Sequence, residues 1–231
     1  MGPRVNAGKR GFDRVGRWYR PLELLAFGGD LERARFMHLG RLAERREILL
    51  LGEGDGRCAE RLAQVAPLAR ILCVDKSPGM VALASARMAG TPAASRVAFV
   101  CADALSYDPE PGRHDAVATL FFLDCFKAEG VEAILSRVGS ALRPGALWLF
   151  ADFVVPPAGL RRARARAWLG LLYAFFRLET GITARELPPS EELLLRAGWS
   201  PVATADLQHG LIRSAVLART GALTGARPAS A

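Results

Sequence analysis

The sequence of 231 residues predicts an α/β fold, a Rossmann-like doubly wound sheet of seven strands with a C-terminal antiparallel hairpin. Three observations predict it. An apolar run opens residues 48–56 and ends in a loop with three glycines at alternate positions. Apolar runs of strand length then alternate with segments of helical periodicity. Two further apolar runs, separated by a tight turn at residues 209–210, complete the hairpin.

Each element follows from its local sequence. Strands are predicted where apolar runs are bounded by turn residues, at 48–51, 71–75, 96–101, 115–122, 146–151, 201–208 and 211–219. Helices are predicted at 31–45, 58–66, 128–140, 190–197 and from residue 77 onwards. Ser77 is expected to cap its helix because Pro78 follows at the first helical position. A turn at 143–145 precedes the fifth strand, and Gly198 ends the last helix.

One domain is predicted over residues 11–219. It includes a helical N-terminal cap at 11–46 and a helical lid insertion at 156–189. Residues 1–10 and 220–231 contain few large apolar groups, so we expect a flexible leader and a flexible tail.

Composition is typical of a globular protein, with 51% hydrophobic and 23% charged residues. The net charge is +8, but the arginines are spread along the chain, which does not favour nucleic-acid binding. The four cysteines lack C-x-x-C spacing, so neither disulfides nor a metal site is predicted. The first ten residues lack the apolar core of a signal peptide, and no apolar run approaches the roughly 20 residues that span a bilayer. A cytoplasmic location is therefore expected.

The glycine loop and the acid after the second strand predict a nucleoside site. Glycine allows positive φ and a close approach of the backbone to a ligand. Asp75 ends the neighbouring strand, where a carboxylate can accept hydrogen bonds from both ribose hydroxyls. Dinucleotide folds use G-x-G-x-x-G to seat a pyrophosphate, whereas this loop is G-x-G-x-G and contains Glu53 and Asp55. These acids would repel a pyrophosphate and attract an amino group and a sulfonium, which favours S-adenosylmethionine over NAD.

Residues 49–56, then Asp75, then Asp103 after the third strand, resemble the class I S-adenosylmethionine-dependent methyltransferase family. The resemblance implies S-adenosylmethionine as the cofactor, Asp103 as the residue that binds the adenine amino group, and Met80 as a residue flanking the adenine. Taken alone, an aspartate there is a common turn former and a methionine there is usually core filler. The predicted cofactor-binding residues of the body are Gly52, Glu53, Gly54, Asp55, Gly56, Asp75, Lys76, Ser77, Met80, Asp103, Ala104, Thr119 and Leu120.

The chain departs from the family at one position. The family often carries an acid two residues before the first glycine, and here that residue is Leu50. The resemblance therefore implies that Glu53 or Asp55 takes over the contact with the methionine amino group.

The N-terminal segment carries a second resemblance. Residues 12–15 (Phe-Asp-Arg-Val) and 18–20 (Trp-Tyr-Arg) resemble the start of quinone-biosynthesis C-methyltransferases, in which the corresponding aromatic residue closes over the cofactor. This implies a cofactor contact for Tyr19. The alternative is that the aromatic segment simply packs against the body.

Three polar residues are predicted near the reacting centre. Asp124 follows the fourth strand at the topological switch point, where ligands collect, and is a candidate base or orienting group. Its alternative role is the N-cap of the helix at 128–140. Asp152 ends the fifth strand at the edge of the predicted substrate pocket. His209 at the hairpin tip is a second candidate base, and its alternative is a solvated loop histidine.

The lid insertion contains one amphipathic helix between Leu160 and Leu178, with aromatic and aliphatic residues on one side and arginines largely elsewhere. The resembling family places a lid over the acceptor at this position, which implies that Trp168, Tyr173 and Phe176 line an apolar substrate pocket. Two alternatives are peripheral contact with an anionic membrane and a core-packed helix with solvated arginines.

The sequence therefore predicts a methyltransferase that uses S-adenosylmethionine and a small, hydrophobic or aromatic acceptor. Its reaction would depend on alignment and desolvation, with a base needed only when the nucleophile must lose a proton. An NAD-dependent oxidoreductase is one alternative. A non-catalytic S-adenosylmethionine-binding regulatory or membrane-associated protein is the other.

Overall fold

The computed structural model of the chain describes residues 29–155, residue 159 and residues 187–219. Its strands are β1 (Glu47–Leu51), β2 (Arg70–Asp75), β3 (Val97–Cys101), β4 (His114–Leu120), β5 (Leu142–Phe153), β6 (Trp199–Leu207) and β7 (Ile212–Arg219). They form one seven-stranded sheet in the order β3-β2-β1-β4-β5-β7-β6. The first five strands pair in parallel, and β7 lies antiparallel between β5 and β6. The predicted Rossmann-like sheet with an antiparallel C-terminal hairpin is confirmed.

Helices in the described ranges cover both faces of this sheet. They are α1 (Asp30–Phe36), α2 (Arg57–Val65), α3 (Pro78–Met88), α4 (Ala128–Ala141) and α5 (Ser190–Arg196). Side chains of α2 and α3 join one hydrophobic cluster, and those of α4 and α5 join the cluster on the other face. The start of α3 is as predicted, because the Ser77 side chain accepts a hydrogen bond from the Met80 N–H and Pro78 holds the first helical position.

The apolar run before the glycine loop is buried on both sides. Ile48 and Leu50 pack in the cluster with α2, whereas Leu49 and Leu51 pack in the cluster with α4. None of the four is more than 2% exposed. Continuous apolar sequence is typical of a parallel strand covered on both faces. The carboxyl end of β1, where the loop begins, is therefore anchored in the core.

Two predicted elements differ from the structure by more than two residues at one end. The helix expected at 31–45 ends at Phe36, and a separate 3₁₀ helix, Leu39–Leu42, follows a bend at His38. The bend buries both Leu39 and Leu42, which are at most 2% exposed.

The fifth strand starts at Leu142, four residues before its predicted start. The expected turn at 143–145 lies inside this strand as an irregularity in its pairing with β4. Pro144 cannot donate a ladder hydrogen bond and Gly145 has φ of 77°, so the chain bulges there without leaving the sheet.

Several predictions concern residues outside the described ranges. These are the leader, the tail, residues 11–28 of the N-terminal cap, most of the lid insertion and the candidate site residues Tyr19, Trp168, Tyr173 and Phe176. Within the described ranges, no helix has the length and apolar character needed to cross a bilayer. The same ranges contain no group of three or more His, Cys, Asp or Glu residues that could hold a metal ion.

Candidate active site

The glycine loop leaves β1 at the carboxyl edge of the parallel strands. Gly54 has φ of 71°, and a Cβ built on it would meet no heavy atom within 4 Å. Glycine is thus required there by backbone conformation, and the space beside it is open. A Cβ on Gly52, by contrast, would overlap the Phe122 ring. The loop therefore packs tightly against the segment after β4 and leaves room for a ligand near Gly54.

Asp75 connects this loop to the end of β2. Its Oδ2 accepts a hydrogen bond from the Gly54 N–H at 3.0 Å, and its Oδ1 accepts one from the Ser77 N–H at 2.9 Å. Each carboxylate oxygen has a further lone pair for a ligand hydroxyl. The side chain predicted to bind ribose is therefore held in place by two backbone amides.

Asp103 lies at the next strand end. Its Oδ1 accepts the Leu105 N–H at 3.0 Å, and Lys76 Nζ lies 3.4 Å from its Oδ2. The two strand ends are joined by the Ala102 N–H, which donates to the Asp75 carbonyl at 3.0 Å. The structure thus brings Asp75 and Asp103 to one edge, as predicted from their order in the chain.

The other residues predicted on this side differ in exposure. Lys76 is exposed, while Ser77, Met80 and Ala104 are half-buried next to the strand ends. Contacts of these four residues with a cofactor stay predictions.

Glu53 occupies an enclosed position in the loop. Its Oε1 accepts a hydrogen bond from the Ala59 N–H, in the first turn of α2, at 2.9 Å. Its Oε2 is buried and has no hydrogen-bond partner among the described residues. Burial raises the pKa of this carboxyl to about 8, because the charged form is poorly solvated.

Asp55, the other acid of the loop, is already paired. The Arg57 Nε lies 3.0 Å from Asp55 Oδ2, and an Arg87 nitrogen lies 3.4 Å from the same oxygen. Arg87 also donates to the Asp55 carbonyl at 2.8 Å. Of the two acids, only Glu53 retains a buried oxygen that lacks a hydrogen bond in the described part of the chain.

The backbone after β4 has an uncommon conformation. Phe121 has φ of 55°, which bulky residues rarely adopt. Its N–H donates to the Ala151 carbonyl at 2.7 Å, and its ring meets the Phe153 ring edge to face at 5.4 Å. The Phe122 ring packs edge to face on Phe126 at 5.0 Å. Aromatic side chains thus surround the switch point of the sheet, where strained residues are often functional.

Two buried carboxyls, those of Asp124 and Asp152, lie beside these rings. Asp152 is 1% exposed, and its oxygens accept the Asp124 N–H at 3.1 Å and the Phe153 N–H at 2.9 Å. Burial raises the pKa of both carboxyls, and the Asp124 charge raises that of Asp152 further. Asp152 therefore holds the turn that carries Asp124, and its predicted contact with a substrate is untested.

The alternative role of Asp124 is wrong. The N-cap of α4 is Lys127, and Asp124 instead belongs to a 3₁₀ helix, Leu123–Cys125. The Cys125 Sγ lies 3.6 Å from the Asp124 Oδ1. Asp124 thus remains the candidate polar group of the reacting centre.

Thr119 and Leu120 end β4 but are buried. Thr119 is fully enclosed, and its Oγ1 accepts a hydrogen bond from the Trp148 Nε1 at 2.9 Å. Leu120 is 5% exposed. The Thr119 side chain cannot serve a cofactor because it faces the core, which corrects that part of the prediction. A backbone contact at either residue is untested.

His209 is exposed in a three-residue 3₁₀ turn, Gln208–Gly210, between β6 and β7. Both Gln208 and His209 have positive φ, so the turn is not the two-residue connection expected at 209–210. The Gln208 side chain donates to Asp30 on α1 at 2.5 Å. The structure provides no support for His209 as a base, and that role is untested.

Sequence reasoning missed Arg35. Its guanidinium carbon lies 5.3 Å from the centre of the Phe121 ring, so α1 places a cation at the same edge of the sheet. Its charge opposes the raised pKa of both Glu53 and Asp124. One arginine among 31 Lys and Arg residues gives no signal in the sequence, since its position depends on how α1 packs.

Comparison with known proteins identifies related sequences. Residues 48–145 match a family described as methyltransferase domain. Demethylmenaquinone methyltransferase of Thermus thermophilus is 34% identical over 137 residues, which cover 59% of this chain. The chain matches 60% of the length of that relative. These matches confirm the resemblance to class I S-adenosylmethionine-dependent methyltransferases, with similarity to a quinone-biosynthesis enzyme.

Solved structures share the fold at low identity. The 1,6-didemethyltoxoflavin N1-methyltransferase of Burkholderia thailandensis, solved with 1,6-didemethyltoxoflavin and S-adenosylhomocysteine, is 19% identical with a TM-score of 0.62. The match covers 95% of this chain and 93% of that one. An O-methyltransferase of neocarzinostatin biosynthesis, solved with S-adenosylmethionine and 2-hydroxy-5-methyl naphthoic acid, is 19% identical with a TM-score of 0.61. That match covers 90% of this chain and 58% of the other.

Proposed function

We propose that this chain, which has the fold of class I methyltransferases, binds S-adenosylmethionine at the ends of β1, β2 and β3 and methylates a small hydrophobic or aromatic acceptor. The observation that carries the proposal is the Asp75 carboxylate. It is held by the amides of Gly54 and Ser77, beside a glycine whose Cβ position is open. This arrangement suits a ribose with two hydroxyls, and the Glu53 carboxyl already takes up the Ala59 N–H at the start of α2, where a pyrophosphate would otherwise be bound.

The residues present fit the cofactor. Asp75 would accept hydrogen bonds from the ribose hydroxyls, Asp103 would bind the adenine amino group, and Met80 would flank the adenine. The Glu53 Oε2 is enclosed and has no hydrogen bond within the described residues, so it could accept one from the ammonium group of the cofactor. When bound, S-adenosylmethionine supplies a methyl group on a positively charged sulfur.

The residues after β4 and β5 would prepare the acceptor. Asp124 would take a proton from an acceptor hydroxyl, since its raised pKa brings it closer to that of a useful base. Asp152 would position Asp124 through the backbone hydrogen bond at residue 124. The phenylalanine rings around Phe121 would exclude water and align an aromatic ring.

The relatives support the acceptor class. One relative is a demethylmenaquinone methyltransferase, and two structural neighbours were solved with 1,6-didemethyltoxoflavin and with 2-hydroxy-5-methyl naphthoic acid. We therefore propose a phenol or quinol-like aromatic acceptor for this chain. Roles for Tyr19, Trp168, Tyr173 and Phe176 stay predictions, as do a cytoplasmic location and contact of the lid with a membrane.

Isothermal titration tests the cofactor, with S-adenosylhomocysteine and NAD titrated into the full chain. We expect S-adenosylhomocysteine to bind at one site per chain and NAD to give no signal. Binding of NAD alone would instead favour the oxidoreductase. Turnover is then followed by release of S-adenosylhomocysteine from S-adenosylmethionine with phenols, quinols, amines and lipids. Cofactor binding without turnover on any of them would favour the non-catalytic regulator.

A further inference from the structure

The core position of Leu50 leaves one part of the cofactor without an obvious partner. Leu50 is 1% exposed and packs with α2, so no polar group is available at the position where the family often has an acid. Asp55 is committed to Arg57 and Arg87. The amino-acid end of the cofactor must therefore be held by other residues of this chain.

Glu53 has the right unsatisfied atom. Its Oε1 is bonded to the Ala59 N–H, which fixes the carboxyl group, while its enclosed Oε2 has no hydrogen bond in the described ranges. A buried carboxyl oxygen without a donor is destabilising, and an ammonium group would both supply the missing hydrogen bond and stabilise the ionised form of the carboxyl.

Arg35 supplies the opposite charge from a different element. Its guanidinium lies over the Phe121 ring, and its charge acts on Glu53 in the loop and on Asp124 after β4. In the part of the chain that the structure describes, no carboxylate forms an ion pair with Arg35. A cation and a buried carboxyl thus lie at the same edge of the sheet, near enough for the Arg35 charge to lower the pKa of Glu53, and the described residues show no ion pair between them.

We propose that Glu53 and Arg35 form an amino-acid clamp for the methionine end of the cofactor. Glu53 Oε2 accepts a hydrogen bond from the α-ammonium group, and the Arg35 guanidinium donates to the α-carboxylate. Separated charges of opposite sign match a zwitterion, and both hydrogen bonds are charge-assisted. This clamp rests on the proposed function, because it requires S-adenosylmethionine as the ligand.

Four ligands separate the parts of the clamp in titrations of the full chain. S-adenosylhomocysteine carries both charged groups, and 5′-methylthioadenosine carries neither. Decarboxylated S-adenosylhomocysteine retains only the ammonium, and the deaminated analogue retains only the carboxylate. The variants are Glu53→Gln, which can still accept the Ala59 N–H, and Arg35→Met. The matched controls are Glu60→Gln in the first turn of α2 and Arg33→Met on α1.

We expect Arg35→Met to weaken S-adenosylhomocysteine about 10- to 100-fold and to change the decarboxylated analogue less than about threefold. Glu53→Gln should weaken S-adenosylhomocysteine to a similar extent and leave the deaminated analogue unchanged. Neither variant should alter binding of 5′-methylthioadenosine, and neither control should alter any ligand. Arg35→Lys should restore part of the lost affinity, because it retains the charge without the planar fork.

Two results would overturn the clamp. One is an unchanged affinity for S-adenosylhomocysteine in both variants. The other is an equal loss of affinity for all four ligands, which would indicate a general structural role. If the wild-type chain and both variants bind 5′-methylthioadenosine and S-adenosylhomocysteine with equal affinity, only the clamp is wrong. If the wild-type chain binds none of the four, the proposed function itself fails. Thermal melting of each variant identifies loss of folding, and the Lys variant then decides the role of residue 35.

Discussion

The two halves of the candidate site are built differently. At the ends of β2 and β3, Asp75 and Asp103 are half-buried and bonded to backbone amides of their own loops. At the ends of β4 and β5, burial raises the pKa values of Asp124 and Asp152. The first, which we call the nucleoside half, suits recognition by preformed hydrogen bonds. The second, which we call the acceptor half, suits proton transfer. Under the proposed function, the half-buried carboxylates at one end of this sheet edge would bind the cofactor, and the more deeply buried carboxyls at the other would act in the chemistry.

The largest effect is expected in the acceptor half. Asp124→Asn should lower turnover about 100- to 10,000-fold if the acceptor must lose a proton. The affinity for S-adenosylhomocysteine should change little, because the nucleoside half is intact. Steady-state kinetics and titration measure the two effects. The exposed Glu129→Gln on α4 is the control, and a turnover close to wild type in Asp124→Asn would remove Asp124 from the mechanism.

The same variant has a signature in pH. The raised pKa of Asp124 means that wild-type turnover should fall as pH decreases through that pKa, since the base becomes protonated. Asp124→Asn should lose this limb of the profile. A limb that persists in the variant would assign it to another group.

The nucleoside half should respond in binding. Asp75→Ala removes the ribose acceptor and the bonds to the Gly54 and Ser77 amides. We expect about 100-fold weaker binding of both S-adenosylhomocysteine and 5′-methylthioadenosine. The exposed Glu192→Ala on α5 is the control. Unaltered affinity in Asp75→Ala would place the nucleoside elsewhere.

Glu53 lies between the two halves and should link stability to pH. The folded protein retains its proton up to a pKa of about 8, whereas the unfolded chain loses it near the ordinary value of 4.5. The folded state therefore binds more protons in this window, and its free energy of unfolding falls as pH rises. Two charges act on Glu53: that of Arg35 lowers its pKa and that of Asp55 raises it.

Urea unfolding measures this linkage. Between pH 5.5 and pH 7, Glu53 should contribute a loss of about 2 kcal/mol, which Glu53→Gln should not show. The Glu60→Gln variant should match the wild type. An identical pH slope in wild type and Glu53→Gln would contradict the raised pKa.

The smallest effect is expected at the buried hydrogen bond between Thr119 and Trp148, next to the acceptor half. Thr119→Val leaves the buried Trp148 N–H without its acceptor, which should lower the free energy of unfolding by about 1 to 1.5 kcal/mol. Cofactor binding should be unchanged because Thr119 faces the core. The exposed Thr204→Val on β6 is the control. A larger effect on binding than on stability would return Thr119 to the cofactor site.

Much of the fold and of the nucleoside half could be predicted from local sequence. The apolar run before Gly52 specifies a buried strand, Ser77 and Pro78 specify a helix start, and Asp75 follows directly from the end of its strand. Each of these features depends on neighbours within a few residues. The break after Phe36 and the bulge at Gly145 could not be predicted, because they depend on packing against distant elements.

The sequence by itself determined the order of strands and glycines and hence the predicted location of a nucleoside site at one edge of the sheet. Only the tertiary structure distinguished the two acids of the glycine loop. Asp55 forms an ion pair with Arg87 from α3, whereas Glu53 is enclosed and its pKa is lowered by the charge of Arg35 from α1. The physical reason is that desolvation and long-range charge depend on residues far apart in the chain, which no local pattern records.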